Sequence, residues 1–349
     1  MRTIRKHALA MAALTVLALF SLALPGCDNT PAPQEKPADA KPVISILVYR
    51  EDDTYLRIVT KAIQEALNGK ADVTVLHAKS DQLLQNEQLE GVINQKVSAV
   101  ALNLVDTMAA GTAVDSLQRA GIPVVFFNRE PDLATIKSYP KAGFVGTDVS
   151  AAGTMQGDII KELWDAHPAY DRNGDGKCQY IMIQANLDNP ESLARTEYSV
   201  RQARENGLVM QQVGETLLCN WNDVMAHEMM RLVFPLYEDN LELIIANNDS
   251  MALGAIRALN EFGYNLEGSD AAKFIPVVGV DAVPGAVEAI NKGMMSATVV
   301  QDGEGMANAI AAMLLNAAAG KDLLEGVPHE WDASGVAIRI PYSRLEGKR

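Results

Sequence analysis

The run ISILVYREDDTYLRIVTKAIQEAL (44–67) joins two different periods. Residues 44–49 are almost continuously apolar, the pattern of a strand buried on both faces. Residues 54–67 repeat at helical spacing, with Ile58, Ala62, Ile63 and Ala66 on one face. The acidic turn Glu51-Asp52-Asp53 separates them. The unit then recurs, with strands predicted at 73–78, 97–104 and 123–128 and helices at 82–95 and 109–120. The rhythm restarts after Gly146. A helix at 151–166 precedes strands at 180–185, 208–216, 243–247 and 275–280, with helices at 191–205, 223–233, 249–262 and 284–291. A strand at 297–300 then leads into an Ala-rich helix near 307–319, and a last extended segment covers 336–341. Strands alternating with helices of this length predict an α/β fold of two doubly wound parallel-sheet lobes.

Composition agrees. The 349 residues are 48% hydrophobic and 21% charged, as in ordinary globular chains. The length exceeds the roughly 250–300 residues that one core serves. Thirty Lys and Arg against 44 Asp and Glu leave a net charge of −14. That sign repels phosphate backbones and argues against nucleic acid as a partner.

Residues 1–26 read as a signal. Arg2, Arg5, Lys6 and His7 form a basic start, and 8–24 is an apolar run with only Thr15 and Ser21 polar. It ends in Leu24-Pro25-Gly26-Cys27, similar to a bacterial lipobox, in which the cysteine is lipidated and becomes the new N-terminus. A plain signal peptide or an uncleaved anchor would share the basic start and apolar run. Residues 27–42 carry prolines at 31, 33, 37 and 42 among small and charged residues, which predicts an extended tether. Cys178 and Cys219 are the other cysteines. The predicted strands hold them roughly 15–20 Å apart at about 3.3 Å per residue, beyond disulfide reach. Both are expected to be buried thiols.

Two motifs carry chemistry. DRNGDGKCQ (171–179) fits the first nine positions of an EF-hand calcium loop. Asp171, Asn173 and Asp175 supply oxygens, Gly176 makes the turn, Lys177 offers its carbonyl and Gln179 stands at position 9. Position 12, where a bidentate Glu should close the shell, is Met182, and a strand follows in place of a helix. Either this is an Asx-rich turn, or a carboxylate from elsewhere completes a Ca²⁺ site. The second motif is positional, because open α/β sheets bind ligands outside the carboxyl ends of their strands. Those ends deliver Asp53, Asn128, residues 186–191, Trp221, Asn248, Asp281 and Gln301, with Tyr55 close by. Any one of them could be only a helix cap or turn former. Together, planar amides and carboxylates beside aromatic rings suit a pyranose. No phosphate-loop, nucleophile-elbow or H-E-x-x-H signature appears, and no catalytic activity is expected.

These residues, with the blocks YREDDTY (49–55), LNLVDTMAAGT (102–112), PVVFFNREP (123–131), FVGTD (144–148), QGDII (156–160), LIIANNDSMALGAI (243–256) and VVGVDAVPGAV (277–287), resemble the periplasmic binding proteins, in particular their galactose/glucose-binding type. The resemblance runs from about Ile44 to Tyr342. It implies two lobes joined by a three-segment hinge, the first of residues 43–145 and 302–338, the second of 146–301 and 339–349. It places Asp53 on a ring hydroxyl, with Tyr55 and Trp221 sandwiching the ring. Asn128, Arg195, Asn248 and Asp281 match as hydrogen-bond partners, and Glu242 falls where the family's closing calcium carboxylate stands. Tyr55 replaces a usual Phe, Asn189 a His, Glu191 an Asp and Gln301 an Asn. The departures leave glucose or galactose open against a pentose or modified sugar. The resemblance further implies delivery to an ABC permease, a chemoreceptor as a second partner, and a place on the periplasmic side of the membrane, held there by the lipid on Cys27. A sensing subunit for a chemoreceptor or membrane histidine kinase is the alternative.

Overall fold

The computed structural model describes residues 40–347, so the predicted signal, Cys27 and most of the tether lie outside the described residues. The strands are β1 (Val43–Val48), β2 (Asp72–His77), β3 (Ala99–Leu102), β4 (Val124–Phe127), β5 (Ala142–Gly146), β6 (Cys178–Gln184), β7 (Met210–Gln212), β8 (Leu217–Leu218), β9 (Leu243–Ala246), β10 (Val277–Asp281), β11 (Ala297–Gln301), β12 (Ala337–Arg339) and β13 (Tyr342–Glu346). One sheet runs β12-β5-β4-β3-β1-β2, and the other runs β13-β11-β10-β9-β6-β7 with β8 also on β6. All pairings are parallel except β11 with β13. The helices are α1 (Thr54–Leu67), α2 (Gln82–Asn94), α3 (Ala110–Ala120), α4 (Leu133–Lys137), α5 (Ala151–Ala166), α6 (Pro190–Glu205), α7 (Asp223–Tyr237), α8 (Asp249–Glu261), α9 (Pro284–Asn291) and α10 (Gly303–Ala318).

Each sheet is covered on both faces, which is why its central strands read as unbroken apolar runs. In the first lobe Ile46 and Phe127 pack beneath α1 and α10, while Leu47 and Phe126 face α2 and α3. In the second, Ile181 and Ile244 pack towards α7 and α8, and Tyr180 and Ile245 towards α5 and α6. The chain crosses between sheets three times, after β5, after β11 and after β12. Gly146 and Arg339, assigned by sequence to the second lobe, end first-lobe strands and pair with each other. Lobe boundaries thus follow strand ends, which patterning locates only to a residue or two.

Other differences have local causes. The buried stripe of α1 is Tyr55, Leu56, Val59, Thr60, Ile63 and Leu67, whereas Ile58 remains 37% exposed. The helix packs against both the sheet and its neighbour α10, so the face that is buried is rotated from the predicted one. The expected strand at 208–216 is reduced to β7, with Gly214 turning the chain at φ +71° before β8 begins at Leu217. The extended segment expected at 336–341 is β12, and after Ile340-Pro341 a further strand, β13, joins the other sheet. Cys178 and Cys219 are both buried and free. Among the described residues no helix is long and apolar enough to cross a membrane.

Candidate functional site

The carboxyl ends of both sheets face one cleft. All ten residues expected at a ligand site line it. Asp53, Tyr55 and Asn128 come from the first lobe; Asn189, Glu191, Arg195, Trp221, Asn248, Asp281 and Gln301 come from the second. Several are helix caps as well. Asp53, Asn189 and Asn248 accept from the backbone N–H groups of Leu56, Ser192 and Met251 at 2.9, 3.0 and 3.0 Å. Capping and lining are therefore one arrangement. The cap fixes the side chain's direction and leaves its remaining polar capacity facing the cleft.

The backbone is strained where it presents these groups. Asn128, Trp221 and Asp281 have φ of 62°, 58° and 118°, values that non-glycine residues adopt only when the surroundings enforce them. Across the cleft, Arg50 of the first lobe donates to the carbonyl oxygens of Asn220 and Trp221 at 3.1 and 3.4 Å. The two lobes are thereby tied beside the site.

Arg195 organises the charges. It is 2% exposed, and its Nη1 donates to the carbonyl of Asn247 at 2.9 Å. Its Nη2 donates to Gln301 Oε1 at 3.0 Å and to the Tyr342 hydroxyl at 3.3 Å. Glu191 and Asp281 approach it to 3.5 and 3.6 Å. Burial pushes both carboxyls above the usual carboxylate range, Asp281 furthest, and Arg195 opposes that rise at each. Burial draws the guanidinium down, but Tyr342, Glu191 and Asp281 together hold it above its ordinary value. The Arg195 Nε and Gln301 Nε2 donors are buried with no protein partner. Buried donors of this kind need an acceptor, and a ligand's oxygens would provide one.

Sequence reasoning missed a supporting layer. Tyr49 lines the cleft and donates its hydroxyl to Asp53 Oδ2 at 2.6 Å, and the guanidinium of Arg129 lies 4.1 Å from its ring centroid. Asn103 is fully buried and donates to Asn128 Oδ1 at 3.2 Å. Thr147 and Tyr342, whose hydroxyls are 2.9 Å apart, join two hinge segments to Glu191 and Arg195. Tyr49 closes an apolar run and Arg129 follows Asn128, so both stood at strand ends. Asn103 and Tyr342 carried no signal of their own.

Elsewhere, residues 171–179 wrap around Glu242, which is fully buried. Its carboxylate accepts from the N–H groups of Arg172 and Gln179 at 2.7 and 3.1 Å. Gly174 and Gly176 turn the loop at φ of 72° and 75°. Asp171 Oδ1 and Gln179 Oε1 are buried with no hydrogen-bond partner. Two orphaned acceptors in one loop, beside a buried carboxylate, fit a hard cation. Among the described residues no group of three or more His, Cys, Asp and Glu side chains is gathered as a metal site. The set here mixes carboxylates with amide and backbone oxygens.

Two α/β lobes, three crossings and a polar cleft between them define a two-lobed ligand-binding protein. The chain belongs to the periplasmic binding protein family, matching its domain over residues 44–322. Members of this family are solute-binding proteins and not enzymes. The D-galactose/methyl-galactoside binding periplasmic protein MglB of Haemophilus influenzae is 34% identical over 303 residues, covering 86% of this chain and 88% of that one. A putative rhizopine-binding protein of Rhizobium meliloti is 28% identical over 271 residues, 75% of this chain and 80% of the other. A solute-binding protein from Actinobacillus succinogenes with bound D-allose shares the fold at a TM-score of 0.72 and 20% identity, over 88% of this chain and 98% of that one.

Proposed function

We propose that this protein captures a monosaccharide, a hexose of glucose or galactose type, and delivers it to an ABC permease. The carrying observation is the cleft itself. Polar and aromatic residues from both lobes surround one cavity, and two buried donors within it have no protein partner. The likeness to a D-galactose/methyl-galactoside binding protein supports the hexose. Tyr55 and Trp221 face the apolar sides of the ring. Asp53, Asn128, Asn189, Glu191, Arg195, Asn248, Asp281 and Gln301 serve its hydroxyls. A ligand that touches both lobes favours the closed form, and the permease reads closure. The protein works on the periplasmic side of the membrane, tethered through lipid on Cys27.

Calorimetry of residues 40–349 against D-glucose, D-galactose, D-ribose and myo-inositol tests this reading. Tightest binding is expected for one of the two hexoses. Failure of all four to bind below about 100 µM, roughly −5.5 kcal/mol, would overturn the receptor reading. Tighter ribose or inositol binding would overturn the hexose alone.

The same proposal includes a structural Ca²⁺. Asp171, Asn173, Asp175, the Lys177 carbonyl, Gln179 and Glu242 would hold it. Bound there, it would pin the connection from α5 to β6, away from the cleft. At a hundredfold excess over Kd, calcium is expected to stabilise the domain by about 2.7 kcal/mol, a rise of roughly 5 °C or more in Tm. Chelator should reverse the rise, and Glu242→Gln should remove the difference between the two conditions. Identical wild-type melts with calcium and with chelator would refute the assignment.

A further inference from the structure

Asp249 is fully buried and is not among the residues that line the cleft. It opens α8, directly after the cleft residue Asn248. Its carboxylate reaches away from its own helix to the turn that ends β10. Oδ2 accepts from the N–H of Val283 at 3.0 Å. Oδ1 accepts from the Thr298 hydroxyl of β11 at 2.7 Å. The turn it holds contains Asp281 and Ala282 at φ of 118° and 59°. Two consecutive non-glycine residues at positive φ do not persist unless neighbouring groups hold them. Gly279 lies under the same carboxylate, and a Cβ there would come within 2.2 Å of Asp249 Oδ1.

We propose that Asp249 is a positioning residue for the ligand cleft, clamping the strained β10 turn so that Asp281 points at the ligand. This rests on the cleft being the binding site. Asp281 reaches the cleft only because its backbone takes the φ of 118°. Asp249 supplies an acceptor to the Val283 amide, two residues past Asp281, and Thr298 orients the carboxylate from β11. Burial pushes the Asp249 carboxyl up to about 7, while the donors from Thr298 and Val283 oppose the rise. Its ionised form is the one these donors hold. Gly279 is required because nothing larger than hydrogen fits beneath the clamp. A structural carboxylate in the core would affect folding alone; this one should act on affinity.

The test uses residues 40–349 with D-galactose as the probe. Asp249→Asn exchanges one acceptor oxygen for a donor facing the same donors, and is expected to weaken binding by about 30-fold, equivalent to roughly 2 kcal/mol, with only a small change in Tm. Gly279→Ala should weaken binding similarly by displacing the carboxylate. In an Asp249→Ala background, Gly279→Ala should cost little more, since the nearest group it strikes is gone and the other, Met295 Cε at 2.8 Å, is the flexible end of a side chain. Additive losses, or unchanged affinity in Asp249→Asn, would overturn the proposal. A readout without ligand separates this inference from the function it rests on. Amide hydrogen exchange at Val283 should accelerate at least tenfold in Asp249→Asn, and unchanged protection would overturn the clamp even if D-galactose proves not to bind.

Discussion

Asp281→Ala is expected to abolish sugar binding while leaving the domain folded. The carboxylate sits 3.6 Å from Arg195 in the cleft, and burial already pushes it well above its ordinary range. Truncating one partner of a buried, hydrogen-bonded charge pair costs about 2–5 kcal/mol of binding. That corresponds to a loss of roughly 30-fold to several thousandfold in affinity. Stability should change far less, because Arg195 keeps Glu191 at 3.5 Å and the Tyr342 hydroxyl at 3.3 Å when Asp281 is removed, so its charge is not left unpaired. Calorimetry and a thermal melt on one preparation decide this. Retained affinity would remove Asp281 from the site, and a collapsed melting temperature would make its role structural.

The second large effect is expected from Arg195→Met. Arg195 lowers the carboxyls of Glu191 and Asp281 against their burial. Without it, Asp281 would lose its partner cation, and Glu191 would keep only the weaker influence of Arg129. Breaking such a buried set costs about 3–5 kcal/mol near neutral pH. The pH dependence follows from the direction of the shifts. Folded-state carboxyls raised above their unfolded values favour the protonated, folded form. Their stabilising contribution is complete below the unfolded pKa and is lost as pH rises through the folded pKa. Since the substitution raises both further, the variant should be closest to wild type near pH 5 and fall away towards pH 8. Melting curves that stay parallel across that range would contradict the assigned role of Arg195.

Much of the fold was legible because the strands are buried on both faces. Ile44 to Val48, interrupted only by Ser45, and the unbroken apolar runs Val124 to Phe127 and Leu243 to Ala246 are each followed by a polar turn and a helix. β5 and β13 were not legible. β5 contains Gly143 and Gly146, and β13 is a half-exposed edge strand reading Tyr-Ser-Arg-Leu-Glu. The cleft residues were recoverable for a physical reason, since a parallel sheet exposes its strand ends on one side and side chains there must be polar. Tyr49, Asn103 and Tyr342 escaped because their importance lies in what they hold. Asn103 looks like any buried amide until its bond to Asn128 is seen. The four departures from the resembled family, Tyr55, Asn189, Glu191 and Gln301, all fall on the cleft wall. Substrate preference is therefore open to change there without disturbing the sheets.

The third crossing bears on biosynthesis. The first lobe is complete only when α10 covers its sheet and β12 seals its edge at residue 339, and the second gains its last strand at residues 342–346. Neither lobe is a contiguous piece of chain, so the ordinary order, in which an N-terminal domain folds while the rest is still being made, is closed to it. Until residues 337–346 emerge, both halves keep an open sheet edge. Removal of this ten-residue stretch would therefore disturb both lobes together, because it carries one closing strand for each sheet.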